Sequence, residues 1–310
     1  MPRPKIQLPN GAIQIGSWAG HEDFAVFPVG SKPKRMLVCP SDAAEPHLIP
    51  GHSYLFKTAL GWQEQQVWSE IIAYQVAALV DLDVPPCFPA VEQTTGQTGV
   101  LVEFFYGFPD DAEAARFVPA ADFLSREGKN NERPHSVRTN ILCSQVLEIK
   151  DAIDWWAKVV AFDSLIGNTD RHLENWGFLV RRQRGVAPAF VLAPAFDNGT
   201  SLGYEQPPSR LGAAADQKWL KSYIDRGRHH CGWLDGPTPH FSLCEEFLKH
   251  LPNAGPAMKS VIRFEKAQID GIVERCSQFG LSIPFTAERA RFVSSLIEAR
   301  RQRLAKILGV

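Results

Sequence analysis

Three polar residues at fixed spacing constrain the fold of this chain more than any other feature. Asp170 is followed five positions later by Asn175, and a second acidic residue, Asp197, follows after two short apolar runs. These runs, Trp176 to Val180 and Ala189 to Leu192, predict two strands joined by a charged turn. A hairpin returns the chain to the edge from which it left, so it would bring Asn175 and Asp197 close together.

An acidic residue, an amide and a second acidic residue in this order suit a kinase-type phosphoryl-transfer site. Asp170 would accept the hydrogen bond, and then the proton, of an attacking hydroxyl. Asn175 and Asp197 would supply oxygen ligands to Mg²⁺, which takes few ligands from protein. Each half alone also suits an ordinary helix end or an ordinary turn. Together they favour a kinase that depends on ATP and Mg²⁺.

Two segments resemble the motifs of the HipA-like kinase family: Asp170-Arg-His172-Leu-Glu-Asn175 and Leu192-Ala-Pro-Ala-Phe-Asp197. Members of that family carry an Asp-x-His-x-x-Asn loop and a Leu-x-Pro-x-Tyr/Phe-Asp metal motif. They share a distant lobe architecture with protein kinases and phosphatidylinositol 3-kinases. The resemblance implies that His172 positions the catalytic loop and does not act as the base.

The resemblance also implies an α+β, bilobal kinase-like fold. Its N-lobe would be an antiparallel sheet with one main helix, and its C-lobe would be mostly helical. We expect a nucleotide-binding lobe over residues 1–105, ending at the hinge, and a catalytic lobe over residues 106–310. Short β-favouring runs near the amino terminus agree with such a sheet, namely Ile13 to Ile15, Phe24 to Phe27 and Arg35 to Val38.

A small basic loop between the last two runs contains Gly30, Ser31 and Lys34. Its composition suits backbone N–H groups and cations that approach phosphates, although most such loops are solvated turns. The resemblance supports Gly30 and Lys34 as nucleotide contacts. We include Ser31 as their neighbour.

A lysine at a strand end and a glutamate in the following helix form the ion pair with which kinases steer nucleotide phosphates. His52 to Lys57 is an alternating strand, and Glu70 lies in a helical pattern that stops near Leu79, before Pro85. We interpret Lys57 and Glu70 as this pair. A strand-end lysine in water is the commoner arrangement.

Two further runs, Cys87 to Val91 and Thr98 to Phe105, predict strands joined by a turn. In a kinase-like lobe the second strand ends at the hinge. The resemblance places Glu103 and Phe105 at the adenine edge. A plain buried strand explains the apolar residues of this segment equally well.

The carboxyl-terminal half has the pattern of helices. Residues from Asp151 to Gly167 form an apolar helix that would carry Asp170 at its end. Three later helices are predicted in segments separated by Pro and Gly, namely Phe241 to Leu251, Ala257 to Phe279 and Thr286 to Leu308.

Composition excludes several classes of function. The chain has 310 residues and a net charge of -1, which argues against a protein that coats nucleic acid. The start, Met1 to Lys5, lacks the apolar stretch of a signal peptide, and no apolar run reaches the length of a membrane span. We therefore expect a cytoplasmic protein without direct contact to nucleic acid or membrane.

The 6 cysteines contain no Cys-x-x-Cys pair, so a disulfide framework is not expected. One group of zinc-type ligands stands out in the sequence: His229, His230, Cys231, His240, Cys244 and His250. Its spacing does not match that of structural zinc sites. Separate core cysteines and surface histidines explain it better.

The leading interpretation is a serine/threonine-protein kinase, in which Gly199 to Pro208 would approach the acceptor. The resemblance implies a short form of a bacterial toxin that phosphorylates a protein, such as a translation factor. It also implies a HipB-like helix-turn-helix antitoxin as partner. A lipid or small-molecule hydroxyl is the alternative acceptor, because the loop also resembles that of phosphatidylinositol kinases. A non-catalytic nucleotide-binding partner of an antitoxin is the alternative outside the enzymes.

Overall fold

A six-stranded sheet forms the amino-terminal lobe of the computed structural model, which describes residues 9–21, 34–43, 45–111, 115–124, 135–181, 185, 187–234 and 236–310. Its strands are β1 (Ile13–Gln14), β2 (Ala19–Gly20), β3 (Lys34–Val38), β4 (Ser53–Lys57), β5 (Cys87–Glu92) and β6 (Gln97–Glu103). They lie in the order β1-β5-β6-β4-β3-β2. All neighbours pair antiparallel except β1 and β5. The expected strand from Phe24 to Phe27, Gly30 and Ser31 lie outside the described residues.

The helix α1 (Gln66–Leu79) covers one face of this sheet. Its inward residues join a core that includes Val100 and Val102 of β6. The opposite face of the sheet has a separate core with Phe56, Phe88 and Leu101. Alternation along β6 thus divides its side chains between two cores, as expected for a sheet covered on both faces.

The second lobe combines a small sheet with helices. The predicted hairpin is present as β8 and β9, and a strand before them extends it to three strands, β7 (Ala115–Pro119), β8 (Gly177–Arg181) and β9 (Ala189–Leu192). The remaining α-helices and strands of the described residues are α2 (Ala120–Leu124), α3 (Val137–Val146), α4 (Ala152–Ile166), α5 (Gln217–Arg226), β10 (Arg228–His229), β11 (Thr238–Pro239), α6 (His240–His250), α7 (Gly255–Ser260), α8 (Lys266–Ser277) and α9 (Ala287–Leu308). The elements β2, β7, α2, α3, α5, β10 and β11 were not predicted from sequence.

One predicted helix is wrong in extent. The segment from Ala257 to Phe279 forms two helices, α7 and α8, instead of one. The reason is a new helix start at Glu265, whose side chain forms a capping box with Gln268. Burial of Phe264 in the turn just before it anchors the break.

The helix α4 is the central element of the second lobe. It contacts α3, α6, α7 and α9, and its Trp156 and Phe162 are fully buried. It ends at Gly167, whose left-handed φ of 71° lets the chain turn sharply into the loop of Asp170. A rigid helix therefore fixes the start of that loop. Within the described ranges, no helix is both long and apolar enough to cross a membrane.

Candidate active site

The side chain of Lys57 joins three separate parts of the chain. Its Nζ lies 2.9 Å from Oε1 of Glu70 in α1 and 3.0 Å from Oδ1 of Asp197, beyond β9. The structure thus brings together the lysine, the glutamate and the second acidic residue that the sequence singled out. Their separation along the chain, 140 residues between Lys57 and Asp197, means that folding of both lobes is needed to assemble this group.

The charges in this group are unequal. Burial alone would lower the pKa of Lys57, but the carboxylates of Asp197 and Glu70 outweigh it and raise that pKa above its usual range. Burial raises the pKa of Glu70, Lys57 lowers it and Asp197 raises it, with a net rise. One ammonium faces two carboxylates, so a further cation beside Asp197 would be favoured electrostatically.

The turn that carries Asp197 is held from two sides. Asp197 adopts a left-handed φ of 58°, a conformation that costs free energy in a residue other than glycine. The next residue, Asn198, donates its backbone N–H to Oε2 of Glu70 at 2.9 Å, and its Oδ1 accepts a hydrogen bond from Nη2 of Arg171 at 2.7 Å. These bonds stabilise the turn in the orientation that directs Asp197 toward Lys57.

The loop of Asp170 is fixed through its backbone. The Asp170 N–H donates to Oδ1 of Asn168 at 3.1 Å, and the Asp170 carbonyl accepts from Nδ2 of Asn175 at 2.7 Å. The hydroxyl of Thr200 donates to the same Asn168 oxygen at 3.0 Å, which links the loop to the segment after Asp197. The Asp170 side chain is 43% exposed, so a hydroxyl group can approach it from solvent.

The amide of Asn175 fits the predicted metal role. Because the Asp170 carbonyl can only accept a hydrogen bond, the Asn175 nitrogen must face it, and Oδ1 remains as the acceptor atom. An amide oxygen here and the Asp197 carboxylate make a hard-oxygen pair of the kind Mg²⁺ uses together with nucleotide oxygens. The donor set therefore fits Mg²⁺ bound to a nucleotide. Among the described residues, no group of three or more His, Cys, Asp or Glu side chains is arranged as a metal site of its own.

His172 lies beside Asp170 without a close hydrogen bond to it. Its Nδ1 accepts the backbone N–H of Glu174 at 3.2 Å, which places the ring proton of the neutral form on Nε2. That Nε2 is 3.8 Å from Oδ1 of Asp170, longer than a hydrogen bond. The geometry suits a residue that orients the loop.

A buried charge network behind the loop was missed by the sequence reasoning. Arg171 binds the carboxylate of Asp163 in α4 with two bonds, from Nη2 at 2.8 Å and from Nε at 3.0 Å. Nδ2 of Asn168 adds a bond of 3.1 Å to the same carboxylate. Nη1 of Arg171 also donates to the carbonyls of Asn175 and Phe196, at 3.1 Å and 2.6 Å. Arg171 therefore ties the loop of Asp170 to the turn of Asp197.

His229 completes this network from β10. Its Nε2 lies 3.1 Å from Oδ2 of Asp163, and both side chains are fully buried. Burial would raise the pKa of Asp163, but Arg171 and His229 outweigh it and lower that pKa well below its usual range. The sequence could have indicated this network, because Asp163 is a charged residue inside an apolar helix and buried charges require partners. Arg171, which lies between two motif residues, was the candidate partner.

The predicted adenine edge lies at the end of β6. The Glu103 N–H already donates a hydrogen bond to the carbonyl of Pro86 at 2.9 Å. No hydrogen bond between described residues uses the backbone of Phe105, whose ring stacks on Phe196 with centroids 5.2 Å apart. His52, which the sequence reasoning did not select, holds the adjacent carbonyl of Phe104 at 2.6 Å. The Phe105 backbone is therefore the better-placed group for an adenine contact.

Lys34 lies directly opposite Lys57 in the pairing of β3 with β4. Directly opposed residues on antiparallel strands point to the same face of the sheet. Lys57 is already paired with Glu70 and Asp197, so the register shows only that Lys34 lies beside Lys57 on the same face. The pairing thus supports Lys34 as a second phosphate contact, while Gly30 and Ser31 lie outside the described part of the chain.

The zinc-type ligands of the sequence are used in other contacts, and the expectation of surface histidines is wrong for His229 and His240, which are fully buried. His229 binds Asp163, and Sγ of Cys244 lies 3.2 Å from the hydroxyl of Ser164. His230 is near His172, with ring centroids 5.9 Å apart. All six cysteines are free thiols.

Comparison with known proteins identifies the family of the chain. Residues 28–266 match the family model of the HipA-like C-terminal domain. The chain therefore belongs to the HipA-like family. No curated protein sequence matches it.

Two solved structures show the same bilobal kinase-like fold. One is the Helicobacter pylori proinflammatory kinase CtkA, with a TM-score of 0.69, 14% identity and coverage of 96% of each chain. The other is HipA of the Shewanella oneidensis MR-1 toxin-antitoxin system, solved with HipB and operator DNA. It aligns with a TM-score of 0.58 and 15% identity over 92% of this chain and 66% of that chain. The predicted fold class is confirmed.

Proposed function

We propose that this protein is a kinase that transfers the γ-phosphoryl group of ATP to a serine or threonine hydroxyl of a protein. The observation that carries the proposal is the contact of Lys57 with both Glu70 and Asp197, at 2.9 Å and 3.0 Å. A lysine in this position can hold nucleotide phosphates. We place the boundary of the two lobes after Phe105, with nucleotide binding over residues 1–105 and catalysis over residues 106–310.

Each residue of the site has a part in the proposed reaction. Lys57 and Lys34 bind phosphate oxygens, and Glu70 keeps Lys57 in place. Asn175 and Asp197 hold Mg²⁺, which when bound neutralises charge on the phosphate oxygens. Asp170 orients the acceptor hydroxyl and accepts its proton, as its exposed carboxylate allows.

The acceptor and partner are proposed from the family. HipA of Shewanella oneidensis occurs in a complex with HipB and operator DNA. By analogy we propose a HipB-like partner for this chain, a cytoplasmic location and a toxin role in which a translation factor is phosphorylated. Co-purification with the product of a neighbouring gene for a small helix-turn-helix protein would test the partnership.

Incorporation of radiolabelled phosphate tests the central proposal. Wild type, Asp170→Asn and Asp154→Asn are incubated with Mg²⁺ and γ-labelled ATP in a cell extract. Asp154 is an exposed residue of α4 and serves as the matched control. We expect the Asp170 variant to lose about 10²–10⁴-fold in labelling, the usual contribution of a positioned base, and the control to match wild type. Equal labelling by wild type and Asp170→Asn would refute the assignment.

A further inference from the structure

A cavity of about 360 Å³ lies in the second lobe beside the loop of Asp170. Its wall includes Thr169, the residue immediately before Asp170, and residues 203–206 of the segment after the Asp197 turn. Arg226 of α5 and Arg300 of α9 line it from the other side. The roles assigned to Lys34, Lys57, Glu70, Asp170, Asn175 and Asp197 do not use this cavity, although the segment expected to approach the acceptor lines part of it.

Arg300 is a buried cation with few partners. It is 3% exposed, and its only hydrogen bond to another described residue joins Nη1 to the carbonyl of Ser164 at 3.0 Å, in the last turn of α4. Nε has no hydrogen-bond partner among the described residues, and the ion pairs formed within those residues do not include Arg300. The ring of Phe241 lies 5.9 Å from Cζ, which offers a cation–π contact but no acceptor. A guanidinium with unused donors is costly to bury.

Two glycines make room for this guanidinium. A Cβ at Gly167 would lie 2.7 Å from Nη2 of Arg300, and a Cβ at Gly227 would lie 3.0 Å from it. Gly227 has a φ of -61°, so its backbone conformation does not require glycine and the close approach of Arg300 explains the residue better. The sequence thus keeps space for a cation at the edge of a cavity.

The other lining groups suit an anion. Arg226 adds a second positive charge, and Thr169, Thr200 and Ser201 add hydroxyl groups. The lining residues include one carboxylate, Glu205, which is exposed and accepts a hydrogen bond from Tyr223 at 2.6 Å. Burial lowers the pKa of Arg300 to about 10, which still leaves it charged at neutral pH. Among the lining residues two cations face one carboxylate, and outside the lining Asp225 also attracts Arg300.

We propose that this cavity binds a phosphate or carboxylate group carried by the acceptor polypeptide, next to the hydroxyl that is phosphorylated. This inference rests on the proposed kinase function, because Thr169 places the cavity one residue from Asp170. A carboxylate or phosphate pairs with the planar donors of Arg300 and removes the cost of its burial. The volume, about 360 Å³, is large enough for one acidic side chain or phosphorylated residue.

Calorimetric titration with N-acetyl-O-phosphoserine amide tests the cavity. A non-hydrolysable ATP analogue and Mg²⁺ are kept saturating, so that the probe cannot bind at Lys57. We expect saturable binding by wild type, about tenfold weaker binding by Arg300→Gln and a smaller loss in Arg226→Gln, because a charge-assisted hydrogen bond is removed. Arg303→Gln is the matched control, since Arg303 lies on the same helix and 5.8 Å from the same Phe241 ring but is not a lining residue.

The outcomes separate this inference from the proposed function. The proposed anion site would be refuted if wild type showed no saturable phosphoserine binding. It would also be refuted if Arg226→Gln and Arg300→Gln both bound the probe with wild-type affinity. If Arg300→Gln fails to fold, the probe affinity of Arg226→Gln still tests the site, because Arg226 is exposed. Failure of the ATP analogue to bind would count against the kinase proposal, whereas probe binding that depends on these arginines would still support the cavity.

Two further probes identify the source of the anion. Inorganic phosphate that binds more tightly than the phosphoserine probe would contradict an acceptor-borne group and indicate a free anion. A pair of serine tripeptides, flanked by glutamate or by glutamine, tests the carboxylate form. The glutamate peptide is expected to bind more tightly to wild type and with no advantage to Arg300→Gln; equal binding of both peptides to wild type would restrict the site to phosphate.

Discussion

Glu70 binds two different parts of the site through its two carboxylate oxygens. Oε1 accepts from Lys57 Nζ at 2.9 Å, and Oε2 accepts the backbone N–H of Asn198 at 2.9 Å. One glutamate of α1 therefore positions both the lysine of β4 and the turn that carries Asp197. Movement of α1 relative to the second lobe would disturb both contacts together. Substitution of Glu70 therefore removes a contact of the Asp197 turn as well as one of Lys57, whereas substitution of Lys57 removes the ammonium group itself.

The first prediction concerns these two residues. Lys57→Ala should raise the dissociation constant for Mg-ATP by about tenfold or more, because it removes a charge-assisted contact with phosphate. Glu70→Ala should raise it less, since the lysine remains. Lys221→Ala is the control, because it breaks an exposed ion pair with Asp225 in α5. Titration of each variant gives the constants; wild-type affinity in Lys57→Ala would transfer the phosphate role to Lys34.

The second prediction concerns Lys34. If it binds phosphate beside Lys57, Lys34→Ala should reduce the rise in Tm that saturating Mg-ATP produces, because weaker binding stabilises the folded state less. Arg35→Ala on the same strand is the control, since Arg35 is exposed and alternation directs it to the other face. Differential scanning fluorimetry with and without Mg-ATP measures both. An unchanged rise in Tm for Lys34→Ala would contradict the role.

The third prediction concerns the buried network. Asp163→Asn removes the one carboxylate that faces Arg171 and His229 in this network. Breaking a buried ion pair on one side costs about 3–5 kcal/mol, so we expect a loss of that size in the free energy of unfolding in urea. Asp154→Asn, on the exposed face of α4, should change it by about 0.5 kcal/mol or less. A small loss in Asp163→Asn would show that water reaches the network.

The hairpin between Asn175 and Asp197 was the most predictable part of the chain. Local spacing placed Asp170, Asn175 and Asp197 correctly relative to the hairpin, because a hairpin has few geometries. The contact between Lys57 and Glu70 was also expected, because kinases pair a strand lysine with a glutamate of the following helix. These are short-range rules, and they suffice for residues whose partners lie near them in sequence.

The local sequence pattern could not predict contacts between residues that lie far apart along the chain. Asp163 meets His229 across 66 residues, and no spacing rule connects them. Arg300 reaches the end of α4 from α9, across 136 residues. Such contacts depend on how helices pack around α4, which the periodicity of each helix does not determine. The same limit explains why α3 and α5 were missed, because each has only 10 residues and isolated helices of that length are marginal without tertiary packing.

The last prediction is a dependence of stability on pH that arises at His229. Burial alone would lower the pKa of His229, but its contacts with Cys231 and with the Asp163 carboxylate outweigh burial and raise that pKa to about 10, from an ordinary value of 6.5. His240 also faces this imidazole, with ring centroids 5.9 Å apart. Because the folded pKa exceeds the unfolded one, the stabilisation is complete below about pH 6.5 and is lost as pH rises toward 10.

His229→Gln removes this titration and keeps an amide that can donate to Asp163. The free energy of unfolding of wild type minus that of the variant should therefore fall between pH 6.5 and pH 10, by at most about 1.4 kcal/mol per pH unit. Urea unfolding at several pH values measures this difference. His250→Gln, at an exposed histidine stacked on Trp233, is the control and should show no such trend. A difference that stays constant or grows with pH would mean that His229 is neutral in the folded protein, and that Arg171 alone balances the charge of Asp163.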